Sequence, residues 1–261
     1  STRSGVGHGF IRDVDFFRLL GASSVRALDH TDYEGAEIIH NLNQPIPPHL
    51  DSIADFILDG STLDNLFNPA AGLQSIARML RPGGRIIAVN MGSAHCSPYT
   101  VPTGFWFLDF FSLNQFSDCK VYMTLHNDNG QVGVFSVDHS STQGPTFVAN
   151  GVVGIVAFAE KGPNSSWDRT PVQRQYCSPD MLAIYAERAE VFSANPRPDL
   201  LVTRGPAQLR YAPTRSVIEH YRSLNTMSQF PMIGADGSRK TVTLPVFVRA
   251  AAAVRRRFGR Y

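Results

Sequence analysis

The chain has 261 residues, 43% of them hydrophobic and 18% charged, with a formal net charge of +2 at pH 7. That balance suits a globular chain with a sizeable core and excludes both a disordered polar tract and a strongly basic nucleic-acid binder. No apolar run reaches the ~20 residues of a membrane-crossing helix, so no membrane span is expected.

The chain opens STRSGVGHGF, with Gly5, Gly7 and Gly9 in G-x-G-x-G spacing. A glycine motif of this kind is informative when a strand precedes it and a helix follows. Here no strand precedes it, so these glycines read either as a cofactor-approaching turn or as a flexible leader. A helix follows, with Phe16, Phe17, Leu19 and Leu20 ahead of Gly21 as its C-cap. SVRALDHTDYEGAEIIHNLNQPIP then reads as two strands, near 24–29 and 36–41, ending at Asp29 and Asn41.

Ala54–Leu58 is a short run that is apolar except for Asp55, which predicts a strand buried on both faces of a parallel sheet. Asp59-Gly60 breaks it and leaves a carboxylate at the strand's carboxyl end. Asn68 is an N-cap with Pro69 at the first helical position, and Leu73, Ile76, Ala77 and Leu80 share one face. This predicts a helix over 69–81, stopped by Pro82-Gly83-Gly84, and a second buried strand over 85–90. Strand, crossover helix and strand form a parallel unit whose ligands sit beyond the strands' carboxyl ends.

Downstream, the aromatic stretch over 102–116 predicts a helix covering the sheet, with Phe105, Leu108 and Phe111 on one face. Residues 119–126 and 152–160 predict an edge pair of strands, separated by a turn-rich hairpin excursion. After Gly162 the chain becomes polar and proline-punctuated, with helices expected at Pro179–Arg188 and Arg215–Leu224. The tail ends with Arg255, Arg256, Arg257 and Arg260, which suits a solvated basic helix end. Domains are therefore expected at 1–162 and 163–261, the second a helical or irregular extension that packs either on the sheet or on a neighbouring subunit as a homo-oligomer.

The order of these pieces resembles the second half of a class I S-adenosylmethionine-dependent methyltransferase, with Leu80–Gly84 (LRPGG) as the family's most recognisable phrase. The resemblance covers roughly residues 16–126, and the usual first strand and its glycine-rich turn are missing or displaced. It implies an α/β, Rossmann-like, mostly parallel sheet with helices on both faces. It also implies S-adenosylmethionine as cofactor, with Asp29 accepting from both ribose hydroxyls. Asn41 then meets the adenine amino group and Leu42 the adenine face. Asp59, Gly60 and Ser61 line the opening beyond the next strand, where an acid faces the sulfonium or the acceptor. The last two strands of the resembled fold carry an antiparallel one inserted at the edge.

Beyond the second core strand, Asn90, Ser93 and His95 read as a loop rimming the cleft. His95, with an unperturbed pKa near ~6.5, is the candidate general base beside Asp59. No histidine spacing argues for a metal. Cys96, Cys119 and Cys177 are too widely spaced for a zinc site or disulfide framework, so a reduced cytoplasmic setting is the default. The expected activity is methyl transfer to an oxygen of a small molecule or glycan. The alternative is a non-catalytic module that keeps the fold for binding or assembly. A nicotinamide oxidoreductase is disfavoured, because no Tyr-x-x-x-Lys pair is present.

Overall fold

The computed structural model describes residues 12–32, 35–92, 97–126, 132–137, 152–195, 228–233 and 239–244. Contacts divide the chain into two units: residues 1–144 with 148–205, and residues 145–147 with 206–261.

The first unit starts with helix α1 (Asp13–Leu19). Gly21 follows with φ +96°; its N–H bonds to the Arg18 carbonyl, and that of Ala22 to the Phe17 carbonyl. This closure satisfies two helix-end carbonyls and needs a left-handed residue, which glycine supplies without strain. Two short strands, β1 (Leu28–Asp29) and β2 (Ile38–Ile39), pair in parallel, with Leu28 opposite Ile38. They are shorter than the sequence predicts, and flanking residues such as Ser23, Ser24 and Arg26 are exposed.

The main sheet contains β3 (Ala54–Gly60), β4 (Leu80–Met91), β5 (Asp118–His126), β6 (Val132–Ser136) and β7 (Val152–Glu160), in the order β3–β4–β7–β5–β6. β3 and β4 are parallel neighbours, with Phe56 opposite Arg85 and Gly60 opposite Val89. Helix α2 (Pro69–Met79) connects them, its N-cap Asn68 accepting from the Ala71 N–H at 3.3 Å. The helix ends at Met79, short of the expected 81, and the LRPGG phrase opens β4, which starts at Leu80 where 85 was expected. Ala54 pairs with Leu80 but Phe56 with Arg85, so Arg81–Gly84 bulge out of the ladder. Gly84 has no room for a side chain: a Cβ would lie 2.8 Å from the Arg81 carbonyl oxygen and 3.1 Å from that of Ala54. Lys161 closes the corner, its Nζ donating to the Ala77 and Leu80 carbonyls at 2.7 and 2.8 Å. A cation is thereby buried at the negative end of α2.

β7 is antiparallel to both neighbours, with Val156 opposite Val89 of β4 and Ala157 opposite Val121 of β5. The predicted pairing of 119–126 with 152–160 is therefore present, but in the sheet's interior, with β6 at the edge. VVGIVAFA is the most continuously apolar strand, and a two-sided slot suits such a run. β3, β4 and β5 share one direction, and β6 and β7 run against them. The fold class is mixed α/β. Parallel hydrogen-bonded neighbours within the sheet are confined to β3–β4.

Helix α3 (Gly104–Leu113) forms within the predicted 102–116 window, after Thr103, whose Oγ1 accepts from the Trp106 N–H. Phe107, Phe111 and Phe116 are fully buried and join Ile76 and Leu73 of α2 over Ile86, Ala88, Val121 and Ala157. Each such side chain contributes about 1.5–3 kcal/mol by leaving water. The opposite face is more open. Phe56 and Leu58 are 44% and 47% exposed, which corrects the expectation that β3 is buried on both faces. There Phe56 meets Phe17 of α1, ring centroids 6.0 Å apart.

Helix α4 (Pro179–Ala194) runs beyond the predicted 179–188 and buries Phe192 in the same core. Arg174 bonds Asp109 of α3 at 2.7 Å. Residues 163–195 thus belong to the first unit, and the expected boundary at 162 moves downstream. In the second unit, β8 (Ser228–Ile233) and β9 (Arg239–Leu244) form an antiparallel pair, with Ser228 opposite Leu244. Pro231 inside β8 hides this hairpin from a sequence reading. The predicted helix over 215–224 and the arginine-rich tail lie outside the described residues. Among the described residues no helix is long and apolar enough to cross a membrane.

Candidate functional site

The carboxyl ends of β3 and β4 hold a buried polar network. Asn90 donates from Nδ2 to Asp59 Oδ2 at 2.6 Å, and the two residues are 2% and 3% exposed. Asp59 Oδ1 accepts from the Thr62 N–H at 2.8 Å, and Asn90 Oδ1 from the Asp64 N–H at 3.0 Å. Asp64 is as deeply buried; its carboxylate accepts from Ser61 Oγ at 2.9 and 3.1 Å and from the Met91 N–H at 3.1 Å. Burial pushes the Asp59 carboxyl above its ordinary value, and the bonds from Asn90 and Thr62 draw it partly back.

Local sequence explains the turn. Asp59-Gly60 ends the strand, Ser61 takes φ +71°, and Leu63–Asn65 form a single 3-10 turn leading towards α2. A left-handed serine costs about 1–2 kcal/mol, and such strain persists where surrounding bonds over-determine it. Here Ser61 Oγ and the Asn65 amide, which donates to the Ser61 carbonyl at 2.6 Å, supply those bonds. The loop after β4 is tied to the same turn. Ser97 Oγ bonds the Asp64 carbonyl at 2.9 Å and the Thr100 carbonyl, and Thr100 Oγ1 reaches the Leu66 carbonyl at 3.4 Å.

The sequence-predicted residues divide. Asp59, Gly60 and Ser61 come together with Asn90 and Asp64. Both Asp59 oxygens are engaged inside the protein, so Asp59 shapes the loop and does not project into a cleft. Asn41 sits just beyond β2, its Oδ1 accepting from the N–H and Nδ2 of Asn43 at 3.0 Å each. Asn43 Oδ1 in turn accepts from the Asn68 N–H at 2.8 Å, which ties this segment to the start of α2. Leu42 is buried in the core with Leu63 and Leu66, facing protein where an adenine contact was expected. Asp29 is exposed at the end of β1, takes no part in the Asp59–Asn90 network, and accepts from the Thr31 N–H at 3.0 Å. His95, Ser93 and the glycines at 5, 7 and 9 lie outside the described residues.

The donor set fits S-adenosylmethionine in part. Asp29 is solvent-exposed and keeps acceptor capacity for a ribose hydroxyl, and the Asn41 amide nitrogen can donate to a ring nitrogen. The Asn41 oxygen is already used twice, and Leu42 is turned into the core. Asp64 and Ser97 are the residues that sequence reasoning missed. Ser61-Thr62-Leu63-Asp64 does carry the Ser-x-x-Asp spacing of a capping box, a signal for local closure. Asn90, expected on the rim, is instead the buried tie between the strands. In comparison with known proteins, the chain matches no protein-family model and no curated protein.

Proposed function

We propose that the chain performs S-adenosylmethionine-dependent methyl transfer to an oxygen of a small molecule or glycan, on a Rossmann-like sheet. The observation that carries this reading is the β3–α2–β4 unit with a fixed polar turn at the strands' carboxyl ends, where open α/β sheets receive ligands. Two further features support it: β1–β2 is a second parallel pair ending at Asp29, and β7 enters antiparallel among strands that share a direction.

The cofactor, when bound, supplies an already activated methyl group. The chain's own task is alignment and exclusion of water, which supply most of the rate in such a displacement. Asp29 holds a ribose hydroxyl and Asn41 donates to the adenine. Asp59 and Asn90 fix the Gly60–Asn65 backbone against which the ligands settle. With a hydroxyl acceptor, His95 is the base this reading assigns.

Calorimetry of the full chain with S-adenosylhomocysteine tests the proposal, with micromolar affinity expected. Asp29→Ala then weakens binding by about 2 kcal/mol through loss of charge-assisted bonds. No binding at millimolar ligand favours the second reading, a binding or assembly module. That reading draws on the inward-facing bonds of Asp59 and on the burial of Leu42.

A further inference from the structure

Phe67 and Tyr99 ride on the two segments that are tied together at the polar turn. They are 81% and 64% exposed, and their rings meet edge to face with centroids 5.8 Å apart and planes at 81°. Both ride on anchored backbone. Phe67 lies between Leu66, whose carbonyl accepts from Thr100, and Asn68, whose N–H bonds Asn43. Tyr99 lies between Ser97, bonded to the Asp64 carbonyl, and Thr100. Two rings whose planes meet at 81° form a corner, and an aromatic face carries negative potential that attracts polarised C–H groups.

The chemistry around the corner narrows what it takes. In residues 61–68 and 97–103 the charged side chain is Asp64, which is buried and bonded. Thr62, Asn65, Asn68 and Thr100 are neutral hydroxyls and amides. Within these described segments a charged ligand meets no exposed counter-charge, and a plain aromatic one leaves the hydroxyls and amides without a use. A sugar ring matches both parts, with its C–H face on an aromatic ring and its hydroxyls on neutral donors and acceptors. We infer that Phe67 and Tyr99 form a stacking platform for a pyranose ring, which makes the acceptor of the proposed methyl transfer a glycan. The platform rests on that proposal only where the sugar is called the acceptor.

Saturation-transfer NMR on the full chain tests it, with methyl β-D-glucopyranoside, methyl β-D-galactopyranoside and methyl α-D-mannopyranoside as probes and catechol as an aromatic comparator. Saturation is expected on the ring C–H protons of at least one glycoside. It falls about fivefold in Phe67→Ala and in Tyr99→Ala, the scale of losing one aromatic contact, and Tyr99→Phe retains it. Both residues are surface-exposed, so an unchanged melting temperature confirms that the variants fold. No saturation of any glycoside, undiminished saturation in both alanine variants, or ring-dependent binding of catechol alone overturns the platform. S-adenosylhomocysteine affinity is measured in parallel and stays constant across the variants. Ring-dependent glycoside binding without S-adenosylhomocysteine binding keeps the platform and overturns methyl transfer, and the reverse result does the opposite.

Discussion

Asn90 decides whether Asp59 is tolerable as an ion inside the sheet. Its amide donates the shortest of the bonds to that carboxylate, and burial opposes the charge. A carboxyl raised above its ordinary value contributes stability in its protonated form, present below the unfolded value near ~3.9 and lost as pH rises through the folded value. Removing the amide takes away a bond to the charged form, so the folded value climbs further and the loss widens. Asn90→Ala should therefore cost about 2–4 kcal/mol at pH 7 and less at pH 4.5, where the protonated form of Asp59 is more favoured. Urea unfolding at the two pH values measures this, and equal deficits would show that Asp59 is not the group affected. Asp59 and Asn90 stand out in the sequence because each sits near the end of an apolar strand. That the one bonds the other depends on strand register, which neither residue announces.

Among the elements, the seams are held by single cations. Arg174 donates to Asp109 at 2.7 Å with side-chain exposures of 7% and 11%, and its guanidinium lies 4.9 Å from the Phe105 ring and 5.1 Å from that of Tyr185. Burial raises the Asp109 carboxyl and Arg174 draws it down. Arg174→Met leaves that carboxylate buried and unpaired, for a predicted loss of about 3–5 kcal/mol at pH 7. The loss shrinks as pH falls and Asp109 takes a proton, which thermal unfolding across pH 4 to 7 would follow. Lys161→Met should cost less, about 1–3 kcal/mol, by stranding the Ala77 and Leu80 carbonyls at the end of α2. A chemical-denaturation series checks that order, and a loss from Lys161→Met exceeding that from Arg174→Met would reverse it. The β3–α2–β4 unit is legible in sequence because its cap, its apolar face and its glycine stop all agree. Neither seam is legible, since the partners of Arg174 and Lys161 lie 65 and 81–84 positions away.

At the scale of the whole molecule, sequence conveys the list of strands better than their order. Strands 119–126 and 152–160 are visible from their apolar runs, yet nothing local shows that β7 enters between β4 and β5. The expectation that β3 is covered on both faces fails for a related reason. An apolar run records how much surface a strand can bury, whereas burial depends on which elements lie over it. Ile86 on the covered face is 1% exposed, whereas Phe56, Leu58 and Val89 on the other are 44%, 47% and 41% exposed. The two faces should therefore answer truncation differently. Ile86→Ala removes packed atoms beneath α2 and α3 and should cost about 2–5 kcal/mol. Leu58→Thr removes half-wet surface and places a β-branched residue in the strand, so it should cost under about 1 kcal/mol. Denaturant midpoints of the two variants decide the matter. If Leu58→Thr proves as costly as Ile86→Ala, the open face of β3 is covered in solution by another surface, and that cover becomes part of the sheet's core.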